Sequence, residues 1–350
     1  MRSPDPATLL EAARAGDRGA IGRLLSFVER GGGLARDVGR LTFPASRDVE
    51  AVIGITGAPG AGKSSLTDRL VTEARRGGGR IGVLAIDPSS PFSGGAILGD
   101  RVRMQGHAGD DGVFVRSMAS RGHLGGLALA APEAIRVLVA VGIPRVMVET
   151  VGVGQVEVDI AGASDTTVVV VTPGWGDSVQ ANKAGLLEIA DIFVVNKADR
   201  SGAAGARRDL EHMLDLDTTM GAWRPPVLLT TATDGDGIPE LWRAIEEHGD
   251  HLRTSGELSR RRAEGLEGEL TAVLVRRLER DVRSVVDGAA WDEVKSRVVA
   301  GTTDPYEAAR ELLDALARAS GTEAAEAAEA AKAAEVDAAG TPAQSGICSG

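Results

Sequence analysis

"GAPGAGKS" at residues 57–64 follows directly on the apolar run "VEAVIGIT" at 49–56. It fits the pattern G-x-x-x-x-G-K-[ST], with Gly57, Gly62, Lys63 and Ser64 in register. Glycines at 57, 60 and 62, spaced by the compact Ala58, Pro59 and Ala61, let backbone N–H groups turn inward around phosphate oxygens. A helix opening at Lys63, Ser64 and Ser65 presents its positive end to the same anion. The Lys63 ammonium reaches the outer phosphates, and the Ser64 hydroxyl can ligate Mg²⁺. A glycine-rich turn can match such a pattern by accident, but the strand before it and the helix after it are the context the motif demands. A nucleoside triphosphate is expected here.

Outward from this loop the chain alternates. Short β-branched runs ("AVIGIT", "RIGVLAID", "PRVMVET", "TTVVVVT", "DIFVVNK", "PPVLLTTA") are separated by helix-length mixtures of polar and apolar residues. Nearly continuous Val/Ile runs suit strands buried on both faces. The expected fold is therefore α/β, a P-loop NTPase with a mostly parallel sheet flanked by helices. Residues 1–48 read as an N-terminal helical segment, because "LLEAARAG" and "AIGRLLSFVERGGG" show helical spacing and the second stops at a glycine cluster. The nucleotide domain is expected over 49–250. From 251 to 319 strand signals stop, and Leu266, Leu270, Val273, Leu274 and Leu278 form one helical stripe. A last helix is expected at "DPYEAARELLDAL", with Asp304 as N-cap and Pro305 in the first turn. Residues 320–350, with "EAAEAAEAAKAAE", are low-complexity, offer nothing substantial to bury and are expected to be a disordered tail.

Composition narrows the function. The 350 residues are 43% hydrophobic but only 3% aromatic, so the core has to be built from Val, Leu, Ile and Ala. A net charge of −11 argues against binding nucleic acid or an anionic membrane. No apolar run approaches the roughly 20 residues of a membrane helix, and no early stretch reads as a signal peptide. The single cysteine, Cys348, excludes a disulfide framework and a Cys-rich metal site. The chain is expected to be cytoplasmic.

"NKAD" at 196–199 ends the run "DIFVVNK" and specifies the base. Asp199 can accept from both the ring N–H and the exocyclic amine of guanine, Asn196 can contact the base edge, and the stem of Lys197 can cover the ring face. Adenine lacks that amine and would leave a buried carboxylate unpaired. A later strand at "LLTTA" offers the Thr231–Ala232 backbone to the guanine oxygen. The expected nucleotide pair is GTP and GDP. Asp87, Asp100 and Glu149 fall at strand ends or in the loops after them, where one or two carboxylates beside Ser64 would complete a Mg²⁺ site. Each is also a residue type that caps helices or closes turns.

Catalysis is expected around Lys63, Glu149, Gly152, Gln155 and Lys183. "ETVG" stands where many GTPases carry D-x-x-G, so Gly152 can offer its N–H to the γ-phosphate. Ras-type enzymes follow that glycine with a water-orienting glutamine, whereas Val153 follows it here and Gln155 comes two residues later. Intrinsic hydrolysis is therefore expected to be slow until a partner, a dimer neighbour or a loop movement completes the site. The loop "TPGWGDSVQANKAG" at 172–185, carrying Asp177, Gln180 and Lys183, is placed to change shape with nucleotide state.

Together, "GAPGAGKS", "AIDPSSPFSGGAILGDRVRM", "VETVGVGQVE", "TPGWGDSVQANKAG" and "NKAD" resemble the MeaB-type GTPases, also called ArgK-like, a group similar to the metallochaperone GTPases HypB and UreG. The resemblance covers about residues 5–318. It implies a GTP-hydrolysing chaperone of an adenosylcobalamin-dependent acyl-CoA mutase, chiefly methylmalonyl-CoA mutase. Such a chaperone gates cofactor loading and protects the mutase. The resemblance further implies a homodimer joined through C-terminal helices, with Asp87, Asp100 and Glu149 around the metal and Lys183 in a third switch. One departure is Val156, where many members carry a hydroxyl residue. Three other readings compete. A kinase tied to amino-acid transport needs an acceptor site that no constellation suggests. Nickel delivery needs clustered ligands, but His107, His123 and His212 stand apart from the pair His248 and His251. An interaction module could also hold GTP without hydrolysing it.

Overall fold

The computed structural model describes residues 5–88, 105–107, 109–120, 126–150, 156–174, 188–216, 221–286 and 288–318. It divides into two compact units, residues 1–272 and 273–350. The first unit opens with α1 (Pro6–Arg14), α2 (Arg18–Arg30) and α3 (Gly33–Thr42). Local chemistry sets these bounds. Asp17 caps α2 by accepting from Gly19 N and Ala20 N, and Gly31 ends it. The glycines of 31–33 that stop α2 also start α3, a helix the sequence pattern does not reveal.

Seven parallel strands follow: β1 (Ala51–Gly57), β2 (Ile81–Pro88), β3 (Val113–Ser120), β4 (Arg145–Thr150), β5 (Thr166–Val171), β6 (Ile192–Asn196) and β7 (Val227–Thr230). Their order across the sheet is β3-β2-β4-β1-β5-β6-β7. Six of them are the apolar runs read from sequence. The seventh, β3, is an edge strand interrupted by Arg116, which bonds back to Ser26 and pairs with Glu29 on α2. An edge position tolerates such residues, which is why no apolar run marks it.

Both faces of the sheet are covered. Consecutive strand residues point to opposite sides, so Val168 and Val170 of β5 join one core while Val169 and Val171 join another. β6 repeats this, with Ile192 and Val194 on one face and Phe193 and Val195 on the other. α4 (Lys63–Arg76) and α8 (Ile238–Ser255) close the first core through Leu66, Leu70, Leu241 and Ile245. α7 (Ala203–Leu216) closes the second through Leu210 and Leu214. α1, α2 and α5 (Gly126–Ala140) pack over β2 and β4. α6 (Val156–Ala163) leads into β5.

The amino ends of β5 and β6 carry buried aspartates. Asp165 accepts from Val52 N at 2.9 Å, and Asp191 accepts from Thr167 N at 2.8 Å. α9 (Glu257–Val286) attaches to both. The Arg262 guanidinium grips Asp165 at 2.8 and 2.9 Å, and Arg261 grips Asp191 at 2.9 and 3.0 Å. A third fork joins Arg136 on α5 to Glu269. His248, fully buried on α8, completes the cluster, its Nε2 lying 3.3 Å from Asp191 Oδ1 and its Nδ1 2.8 Å from Thr166 Oγ1.

The second unit carries α10 (Ala289–Val299) and α11 over residues 305–318. Asp304 caps α11 by accepting from Tyr306 N and Glu307 N at 2.8 and 3.1 Å. Val294, Ala308 and Leu312 form a small core there, flanked by Trp291 and Val298. The tail read from residue 320 lies outside the described residues.

Candidate nucleotide site

β1 ends in the loop 58–62, and α4 begins at Lys63. Two glycines are required by geometry. Gly57 has φ +134°, and a Cβ there would collide with Val170 O; at Gly62, φ +91°, it would collide with Asn196 Nδ2. Lys63 is buried and folds back over the loop, its Nζ donating to Gly57 O at 2.6 Å and Ala58 O at 3.0 Å. An ammonium held over a glycine-rich loop at a helix start suits a polyphosphate. Ala61 N bonds Ala58 O at 3.1 Å, closing the turn through Pro59 and Gly60.

Two of the expected metal ligands meet directly. Ser64 Oγ donates to Glu149 Oε1 at 2.6 Å, and both residues are buried. An all-oxygen pair beside a phosphate loop is the donor chemistry a hard cation such as Mg²⁺ selects. Nearby, Thr150 Oγ1 donates to Thr56 Oγ1 at 3.0 Å, tying the carboxyl ends of β4 and β1. Asp87 lies in β2 in register with Ala119. Asp100, Gly152, Gln155, Asp177, Gln180 and Lys183 lie outside the described residues.

The "NKAD" turn is bound to the phosphate loop more tightly than its sequence reveals. Asn196, only 2% exposed, donates to Ala61 O at 2.8 Å and accepts from Thr230 Oγ1 at 3.1 Å and Ala232 N at 3.2 Å. Both ends of its carboxamide thus bond within the protein and tie this turn to the phosphate loop and to the end of β7. Lys197 takes φ +59°, the left-handed region that side chains avoid, and its Nζ reaches Gly60 O at 2.7 Å. Asp199 is exposed at the end of this turn. Thr231 N is engaged by Asp236 O at 3.0 Å, and the following loop folds back on Thr231 O. The two amides read from sequence as donors to guanine therefore already have partners within the protein.

Sequence reasoning missed Arg69. From α4 it donates through Nε to Ala232 O at 2.9 Å and through a second nitrogen to Thr233 O. Its helical distance from Lys63 gives no motif to find it by.

Among the described residues no helix is long and apolar enough to cross a membrane. The family profile described as Methylmalonyl Co-A mutase-associated GTPase MeaB matches residues 21–287. A putative GTPase of Pyrococcus abyssi is 49% identical over 308 residues, 87% of this chain and 95% of that protein. The mouse protein called methylmalonic aciduria type A homolog, mitochondrial, is 37% identical over 217 residues, covering 60% of this chain and 52% of its own length. The crystal structure of an LAO/AO transport system kinase shares the fold with a TM-score of 0.65 at 24% identity, covering 90% of this chain and 98% of that one.

Proposed function

Because the chain belongs to the MeaB family of methylmalonyl-CoA mutase-associated GTPases, we propose that it couples GTP hydrolysis to the care of an adenosylcobalamin-dependent acyl-CoA mutase. It gates cofactor loading and protects the mutase. Methylmalonyl-CoA mutase is the first candidate, a choice supported by the family description and by the name of the mouse relative.

The observation that carries the nucleotide reading is the joining of phosphate loop and base turn through Asn196, Ala61 and Ala232. The three segments that hold phosphates, base edge and base oxygen are thereby built as one piece. Lys63 then exchanges its loop carbonyls for phosphate oxygens, and Asp199 takes the guanine amine. Ser64 and Glu149 would hold Mg²⁺, with Asp87 and Asp100 as further candidate ligands, and a cation there would supply charge neutralisation to the phosphates. Gly152 contributes its amide, and Gln155 or Lys183 contributes to water or phosphate positioning once the mutase is engaged. A partner that supplies the missing orienting group raises the rate by about 10³–10⁵.

Single-turnover hydrolysis of GTP with and without purified mutase tests this. A slow basal rate that rises on addition of apo-mutase supports the reading; equal background rates in both arms overturn it. The chain also acts as a homodimer through α9, whose Leu270, Val273, Leu274, Leu278 and Val282 are exposed. Light scattering reads twice the chain mass if so, and Leu274→Arg returns a monomer.

A further inference from the structure

We infer that Arg69 is a positioning residue for guanine selectivity, fixing the peptide unit between Ala232 and Thr233 so that the Thr233 N–H becomes the donor to the guanine oxygen. The inference rests on the reading of residues 231–233 as the guanine-facing loop and assigns the donor within it.

The amides of that loop can be counted. Thr231 N bonds Asp236 O at 3.0 Å, and Ala232 N points inward to Asn196 Oδ1 at 3.2 Å. Thr231 O accepts from Asp234 N at 3.0 Å and Gly235 N at 2.9 Å, which closes the turn behind them. Thr233 is exposed, and its N–H has no hydrogen-bond partner among the described residues. It is the donor the loop still has to offer.

Arg69 decides where that donor points. A trans peptide is planar, and its C=O and N–H are antiparallel. By gripping Ala232 O at 2.9 Å from the side of α4, Nε of Arg69 turns the Thr233 N–H away from α4. The second contact, to Thr233 O, fixes the next peptide as well and prevents the plane from rotating about its ends. A guanidinium fork offers two nitrogens in one fixed plane to two successive carbonyls, an orientation that a freely rotating ammonium holds less rigidly. The chemical result is selective. Guanine presents a carbonyl oxygen at carbon 6, which accepts from an N–H, whereas adenine presents an amine there and meets donor with donor. Arg69 lies on the same helix that starts with Lys63 and Ser64, so base loop and phosphate loop share one rigid mount.

The test is calorimetry of the full chain and its Arg69→Met and Arg69→Lys variants with GDP, with ADP, and with the diphosphate of 2-aminopurine riboside, which keeps the 2-amino group but lacks the oxygen. The expected result for Arg69→Met is about tenfold weaker GDP binding with ADP unchanged, so the preference for guanine shrinks by that factor. The gap between its GDP and 2-aminopurine affinities narrows by the same factor, the ring N–H that 2-aminopurine also lacks being untouched by the change, and Arg69→Lys falls between. A merely structural role would lower the melting temperature and weaken all three ligands together. That pattern, or an unchanged guanine preference in either folded variant, overturns the inference. A wild-type protein with no preference for guanine over adenine refutes the guanine reading itself, which is a separate outcome.

Discussion

Asn196 shows how one side chain can set an active site without touching the chemistry. It is buried and makes three hydrogen bonds to two other segments, so Asn196→Ala leaves Ala61 O and Ala232 N without that partner and opens a small void. Each abandoned buried group costs about 1–3 kcal/mol. The expected outcome is a melting temperature lowered by several degrees together with weaker GDP binding, read by scanning calorimetry and titration. Lys63→Ala belongs to a different class. Lys63 Nζ donates to two loop carbonyls that phosphate oxygens can replace, and single-turnover hydrolysis is expected to fall by about 10²–10³ in the variant. Glycine, lysine and serine in a fixed pattern were legible because each position admits so few residue types. The turn that carries Lys197 was legible for the same reason, and Lys197 Nζ does reach the phosphate loop at Gly60 O. Asn196 was legible as a site residue, but its partners were not, since a pairing of residues 135 apart is a product of the fold. Arg69 was invisible because arginine on an exposed helix face is ordinary.

At the scale of elements, the amino end of β6 links stability to pH. Burial pushes the Asp191 carboxyl up, but hydrogen bonds from His248 and Arg261 outweigh it and hold the group below the usual carboxylate range. A carboxyl depressed in the folded state adds stability that is fully present above its unfolded value of about 3.9 and is lost as pH falls through the lower, folded value. Asp191→Asn is therefore expected to lower the melting temperature at pH 7 and to flatten its decline below about pH 4, compared with wild type over a pH series. Phe193, fully buried between β6 and α7, is the counterpart without charge: Phe193→Ala costs about 3–5 kcal/mol in denaturant unfolding at every pH. The apolar strands were legible because burial on both faces writes a continuous Val/Ile run. β3 was not, because an edge strand can carry Arg116 and Ser117, and α3 was not, because Gly33 and Gly39 dilute its helical pattern.

The first unit as a whole has two working ends. Nucleotide residues gather where the strands finish, as open parallel sheets place their ligands, whereas the arginines of α9 hold the places where β5 and β6 begin. The compact first unit runs through Ala272, because Arg261, Arg262 and Glu269 on α9 are long-range partners that no composition shift announces. A truncation at 256 is expected to leave Asp165 and Asp191 buried without their cations. It should be markedly less stable than a truncation at 286, compared by thermal melts of the two purified proteins.

β6 is short: Asn196 at its finish and Asp191 just before its start are five steps apart, roughly 16 Å of extended chain. Packed on both sides, such a strand neither stretches nor buckles, and it works like a push-rod. The carboxamide knot at one end and the carboxylate that anchors the long helix at the other are thereby held at a set spacing.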